Sequence, residues 1–319
     1  MATHTSAALA TDDPVAGAGR HRSKVKDNGR LHRKEKRAGW LLVAPASLHI
    51  GIWVGLPLVV ALILSFTRYD IPGKPSFRGV QNYVEAFGKE AFLKSIVNTF
   101  IMTGVAVPAS MLIAVVLAVL LNMGLRGQSF FRVAIFMPHI TATVAVAVVW
   151  LWIYNPDETG LLNKIIGTVG AGPISWLGGY DTAMPSVIAM LIWQGIGIKM
   201  LIYLAALQGL PLDVDEAAKI DGANAFQRFW HIKVPLLRPA TFFVLVTSII
   251  GSFQVFDQIF ILTQGGPANA TTVITYQIYL AAFEASRMGY ASAMSMILFV
   301  FLIILAIVSR KVVGGTDAH

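Results

Sequence analysis

Cysteine is absent from the 319 residues, which excludes disulfides, thiolate nucleophiles and cysteine metal sites together. Charge is scarce as well: 13% of the residues are Asp, Glu, Lys or Arg, against about 25% in an ordinary soluble domain. No Gly-x-x-x-x-Gly-Lys-[Ser/Thr] phosphate loop occurs. Neither Gly73-Lys74 nor Gly88-Lys89 is followed by Ser or Thr, so the segment that would cradle nucleotide phosphates is missing. His-Glu-x-x-His is missing too, and no Ser/His pairing stands out, which leaves an intramembrane hydrolase without chemistry.

What remains is apolar. Hydrophobic residues make up 55% of the chain, and the mean hydropathy is +0.66. They gather into runs of about twenty, the length a helix needs to cross roughly 30 Å of hydrocarbon. In lipid every backbone N–H and C=O must be paired within the segment, so such runs are helices. The expected fold is an all-α integral membrane protein with six transmembrane helices, near residues 40–66, 99–121, 130–154, 184–207, 240–262 and 289–309. The first run is too long, and its polar leader too extended, for a cleavable signal peptide.

The net charge of +8 is concentrated. Nine Lys/Arg residues lie between Arg20 and Arg37, immediately before the first apolar run. That placement suits a topology signal and contact with anionic lipid head groups of the bilayer, and no nucleic acid is expected as a partner. With the N-terminus in the cytoplasm, 17 basic residues fall inside and seven outside, while Lys199 sits within a span. Both termini are therefore expected to be cytoplasmic, in a multi-pass protein. The expected division is a disordered basic tail over 1–38, a membrane domain over 39–311 with a loop at 208–239, and a short cytoplasmic tail over 312–319.

That loop, Pro211 to Pro239, reads as two short helices with a break. Asp213 followed by Glu216 suits a capping box, Ala217 and Ala218 favour helix, and Gly222 can stop it in a left-handed conformation. Asn224 and Gln227 repeat the capping spacing, and Phe226, Phe229 and Trp230 fall on one face of the second helix. The segment is either a connection resting on its own bundle or a rigid knob for a partner to grip.

Polar residues inside the spans are the second set of candidates, since burying them in lipid is costly. They are His139 and Thr143, then Gln194 and Lys199, then Ser252, Gln254 and Asp257, with Trp193 able to stack on a ring. Hydroxyls and amides can line a solute path or bond from helix to helix, the latter worth about 0.6 kcal/mol each. Lys199 and Asp257 differ in depth by roughly 10–15 Å at 1.5 Å per residue, too far for an ion pair.

The stretch Glu216-Ala217-Ala218-x-x-Asp221-Gly222-Ala223, with Ile232, Pro235 and Pro239 after it, resembles the EAA motif of permeases in binding-protein-dependent ABC importers. Other segments resemble the sugar-permease branch: Gly79-Val80-Gln81-Asn82-Tyr83, Asn98-Thr99, Phe131-Arg132 with Pro138, and Trp150 with Asn155-Pro156. Phe256-Asp257, Leu262-Thr263-Gln264-Gly265-Gly266-Pro267 and Gly289-Tyr290-Ala291-Ser292-Ala293 complete it, so the likeness covers roughly 40–310. The resemblance implies the type I importer permease fold in a bacterial or archaeal inner membrane, and a carbohydrate as solute. It also implies three partners: a second homologous permease, an ATPase dimer and an extracytoplasmic solute-binding protein. Glu216, Ala217, Ala218, Asp221, Gly222 and Ala223 would form the coupling helix that enters a cleft on the ATPase. ATP and magnesium would be bound there, with no cofactor, metal or catalytic residue on this chain. A stand-alone secondary transporter would need acid relays or inverted repeats, and Asp257 alone is a thin relay.

Overall fold

The computed structural model describes residues 29–313 except Leu125, Glu158 and Ala171. The chain divides into two compact units, Met1–Pro57 and Leu58–His319. The first contains α1 (Gly29–Ile50) and a π-helical turn, Gly51–Gly55. Helix begins at Gly29, within the tail expected over 1–38, and residues 1–28 and 314–319 lie outside the described residues.

From α2 (Leu56–Ser65) the chain enters a short hairpin of β1 (Thr67–Arg68) and β2 (Ser76–Phe77). Next come α3 (Gln81–Gly88) and the long α4 (Glu90–Asn122), then α5 (Gln128–Ile140), α6 (Thr143–Ile153), α7 (Leu161–Gly167) and α8 (Tyr180–Gln208). α9 (Leu212–Ile220), α10 (Ala225–Arg228), α11 (Val234–Leu236) and α12 (Arg238–Phe253) follow. α13 (Asp257–Leu262), α14 (Ile274–Tyr279) and α15 (Met288–Val313) close the chain.

Among the described residues four helical stretches are long and apolar enough to cross a membrane: Gly39–Ser65, Glu90–Asn122, Tyr180–Gln208 and Met288–Ser309. Two bent pairs would raise the number to six. The expected third span is broken between α5 and α6, which meet at 99° across Thr141 and Ala142. Pro138 lies one turn before that break and cannot donate the i→i−4 hydrogen bond that would stiffen it. The expected fifth span is broken as well. α12 ends at Phe253, and α13 starts only at Asp257. The side chain of Thr275 donates to the carbonyl of Val255 and satisfies one group freed by the break.

α4 and α8 form the central pair. At one level Met102 and Ala106 meet Val187 and Met190. At another, Ala114, Ala118 and Leu121 meet Met200, Tyr203, Leu204 and Leu207. Alanines at the seam suit lipid, where burial gives helices no hydrophobic drive to associate and close packing decides. A third cluster joins Phe92, Phe253, Ala281, Tyr290 and Met294, and so packs α15 against α4 and α12.

Several motifs singled out in the sequence hold this frame together. Asn82 donates to the carbonyls of Ser65 and Thr67, both at 2.8 Å, and Tyr83 donates to Ser65 Oγ at 2.7 Å, which pins α3 beneath the hairpin. Glu85 on α3 accepts two bonds of 2.8 Å from Arg287 and one of 3.0 Å from Arg78. The Arg287 hydrogen bonds, opposed by desolvation, hold the Glu85 carboxyl down at about 2. Asn98 donates to the carbonyls of Asn269 and Thr272, both at 3.0 Å, so the loop after Leu262-Thr263-Gln264-Gly265-Gly266-Pro267 is fastened to α4.

Candidate functional site

Two constructions in the second unit correspond to the two sets of sequence candidates. The first is the segment from α9 to α12. α9 starts at Leu212 with Pro211 as its N-cap and no side-chain cap, so Asp213 falls inside the first turn and the capping box expected from Asp213 and Glu216 does not form. Pro211 makes that cap redundant: it supplies a fixed φ next to backbone N–H groups that solvent can reach.

The other end of α9 matches expectation. Gly222 has φ +80°, the Ala223 N–H donates to the Ala218 carbonyl at 2.9 Å, and the Gly222 N–H donates to Lys219 at 3.1 Å. These two bonds form a Schellman cap, which a glycine in the left-handed region completes without strain. Asn224 then accepts from the Gln227 N–H at 2.8 Å, while the Gln227 side chain accepts from the Asn224 N–H at 2.9 Å, a complete capping box for α10. Arg228 donates to the Ala223 carbonyl at 2.8 Å across the turn.

The turn is thus closed by several short-range hydrogen bonds. Glu216, Ala217 and Asp221 are exposed, Ala218 and Ala223 half-buried, and Ile220 is 86% exposed. Phe226 is 71% exposed and packs on Trp230 at 6.1 Å between centroids, with Phe229 against Trp230 at 5.3 Å. Beyond a π-helical turn over Phe229–Lys233, the stretch Ala225–Leu236 bends by 64° into α12. Pro239 lies in the first turn of α12 and removes the bond that would continue the helix straight through.

The second construction is a cavity of about 580 Å³ lined by residues of α4, α5, α6, α8, α12 and α13. His139, Thr143, Gln194, Ser252 and Lys199 all face it. Gln194 is buried, and its Oε1 accepts from Gln258 Nε2 at 3.1 Å. Ser252 accepts from Thr103 at 2.9 Å, and Lys199 donates to Ser110 Oγ at 2.7 Å. Gly197 brings α5 close to α8: a Cβ there would stand 2.5 Å from the Ile135 carbonyl oxygen.

Three expected wall residues lie elsewhere. Trp193 is 45% exposed and meets Trp150 edge-on at 5.5 Å; one residue from Gln194 on a helix, it points about 100° away. Gln254 and Asp257 are exposed and line no part of the cavity. Both were placed on the assumption of a continuous helix, and the break over 254–256 turns them off the wall. Asp257 instead opens α13, where a carboxylate favours the helix dipole. Ser110, Thr247, Ser248 and Gln258 line the cavity but were not singled out. Ser110 and Thr247 donate to carbonyls on their own helices, at 2.6 and 2.7 Å, so their hydroxyls are cheap in lipid and give a weak signal. Among the described residues no group of three or more His, Cys, Asp or Glu is placed to hold a metal.

Apolar helices thus enclose a cavity whose mainly apolar wall carries several amide, hydroxyl and imidazole groups. The chain belongs to the family of binding-protein-dependent transport system inner membrane components, whose pattern it matches over residues 83–314. It is 32% identical over 287 residues to the arabinooligosaccharides transport system permease protein AraP of Bacillus subtilis, covering 89% of this chain and 91% of that one. It is 33% identical to the trehalose/maltose transport system permease protein MalF of Thermococcus litoralis, with 89% and 96% covered. The lactose transport system permease protein LacF of Rhizobium radiobacter is 34% identical, with 84% and 91% covered. The fold matches a chain of a bacterial ABC transporter involved in import of the acidic polysaccharide alginate. There the TM-score is 0.74 at 24% identity, over 89% of this chain and 99% of that one. A second structure of such a transporter, in complex with an alginate pentasaccharide-bound periplasmic protein, gives 0.77 at 20% identity over 89% and 96%. The chain is accordingly a membrane transport subunit of the ABC importer type and not an enzyme.

Proposed function

We propose that this chain forms, with a second homologous permease, the membrane pathway of an ATP-driven carbohydrate importer fed by an extracytoplasmic binding protein. The carrying observation is the cavity wall of Gln194, Gln258, Thr143, Ser248 and Ser252, in a chain whose relatives are named for arabinooligosaccharides, trehalose/maltose and lactose. Amides and hydroxyls both give and accept hydrogen bonds, so they can replace the water around sugar hydroxyls as the solute crosses. Each bent pair counts as one span, giving six, with both termini in the cytoplasm by the distribution of basic residues.

Coupling to ATP hydrolysis passes through α9. Glu216, Ala217 and Ala218 on α9, with Asp221, Gly222 and Ala223 in its C-terminal cap, form the exposed face that enters the cleft of a partner ATPase. ATP and magnesium belong to that partner. The same continuous segment runs through the 64° bend into α12, which supplies Phe243, Val244, Thr247, Ser248, Gly251 and Ser252 to the cavity. Displacement of α9 on closure of the ATPase dimer therefore moves one wall of the solute site. ATP binding shifts the inward–outward equilibrium only as far as the ATPase grips α9 differently in the two states.

The test is sugar uptake by proteoliposomes holding both permeases and the binding protein, prepared with and without the ATPase subunit. Uptake should vanish without it. Uptake that persists would make the chain a stand-alone transporter.

A further inference from the structure

We infer that the transported solute carries an anionic group, a carboxylate or a phosphate ester, and that the Lys199 ammonium receives it inside the cavity. This rests on the carbohydrate reading and narrows its substrate class to acidic sugars. Among the described residues Lys199 is the one Lys or Arg lining the cavity, and no Asp or Glu lines it. Among the described residues, no carboxylate lies within ion-pair distance of its ammonium. An unmatched cation inside a membrane protein is expensive, and such residues ordinarily serve a pathway or a counter-ion.

The local geometry keeps the ammonium on the wall. The side chain folds back over Gly195, where a Cβ would stand 2.9 Å from Nζ, so the missing side chain leaves room for the ammonium one turn up the helix. Ser110 on α4 takes one of its three N–H groups at 2.7 Å. The Ser110 hydroxyl donates in turn to Ala106 at 2.6 Å, so Ser110 presents a lone pair to the lysine but supplies no compensating charge. His139, Gln194 and Gln258 share the cavity and can bond the remaining oxygens of a sugar acid. A lysine serving only to tie α8 to α4 would need its hydrogen bond to Ser110 and not its charge.

That difference sets the experiment. The complete importer, with its binding protein and ATPase, is reconstituted in proteoliposomes and offered labelled digalacturonate, glucose 6-phosphate, maltose and arabinobiose. Uptake of at least one acidic probe is expected, falling at least tenfold in Lys199→Gln and staying within about threefold of wild type in Lys199→Arg. Ser110→Ala should lower the acidic uptake less than Lys199→Gln does, because the charge remains. The carboxylate and phosphate probes distinguish the two anions. Uptake of a neutral probe undiminished by Lys199→Gln would overturn the inference, as would equal losses in Lys199→Gln and Ser110→Ala. Uptake of none of the four would bring down the carbohydrate reading, and this inference with it.

Discussion

The α9–α10 turn and the cavity wall are built by opposite means. The turn is local: its Schellman cap, its capping box and the Arg228–Ala223 bond all close within a few residues of one another. The cavity is assembled from Ala106 to Gln258, and its polar contacts join distant parts of the chain, Thr103 to Ser252, Ser110 to Lys199 and Gln194 to Gln258. A lever must keep its own shape while it is pushed, so it benefits from short-range bonds that survive when the bundle rearranges. A gate must have two arrangements, so it is made of contacts between elements that can slide apart. The difference predicts that damage to the wall spreads, whereas damage to the turn stays local.

The largest effect is expected at Gly197. Gly197→Leu drives a side chain into the backbone at Ile135 and Phe136, already 2.5 and 2.8 Å from a notional Cβ. It should destabilise the α5–α8 contact by about 1–3 kcal/mol or more and reduce uptake through loss of assembled complex. Thermal unfolding of the purified complex checks this, and an unchanged midpoint would show that α5 need not sit so close.

A middle effect is expected at the Glu85–Arg287 pair, a second long-range tie, which joins α3 to the loop before α15. The folded carboxyl lies at about 2 against 4.5 for the free group, so its contribution is complete above about pH 4.5 and is lost as pH falls towards 2. At an edge that is partly exposed this amounts to roughly 1 kcal/mol. Glu85→Gln should therefore lower stability near neutral pH and flatten the acid dependence, measurable as unfolding midpoint against pH. Equal slopes for wild type and variant would contradict it.

The smallest effect on stability belongs to the turn. Asn224→Ala removes half of the capping box and, at an exposed cap, should cost about 0.5 kcal/mol, confined to α10. Hydrogen exchange should speed up over residues 224–228 and leave α8 unchanged. Exchange that spread into the cavity helices would erase the contrast between the two regions.

The same contrast explains what was legible in the sequence. The helices of the frame follow from apolar length alone, and the Gly222 stop and the Asn224–Gln227 box from residues three or four apart. Asp213–Glu216 misled because capping spacing is common, and only the chain path shows that Pro211 already starts the helix. The wall was legible in part. His139, Thr143, Gln194, Ser252 and Lys199 fall on the cavity because polar side chains in lipid need a reason to be there. Gln254 and Asp257 lie off the cavity while Gln258, which was not singled out, faces it, since a break over 254–256 interrupts the helix that spacing assumes. Trp193 failed for a simpler reason: adjacent helix positions face different neighbours. Asn82, Asn98 and Glu85 belong to the frame, and their partners 15 to more than 200 residues away could not be read from spacing.

Glu216 offers the most direct test that the exposed α9 face transmits ATP energy to the cavity. Glu216→Lys should leave membrane insertion and the wall intact, because the side chain is exposed. In proteoliposomes of the whole importer, binding-protein-stimulated ATP hydrolysis and sugar uptake should both fall at least tenfold while the protein stays in the membrane. Wild-type uptake and stimulation by that variant would contradict the account.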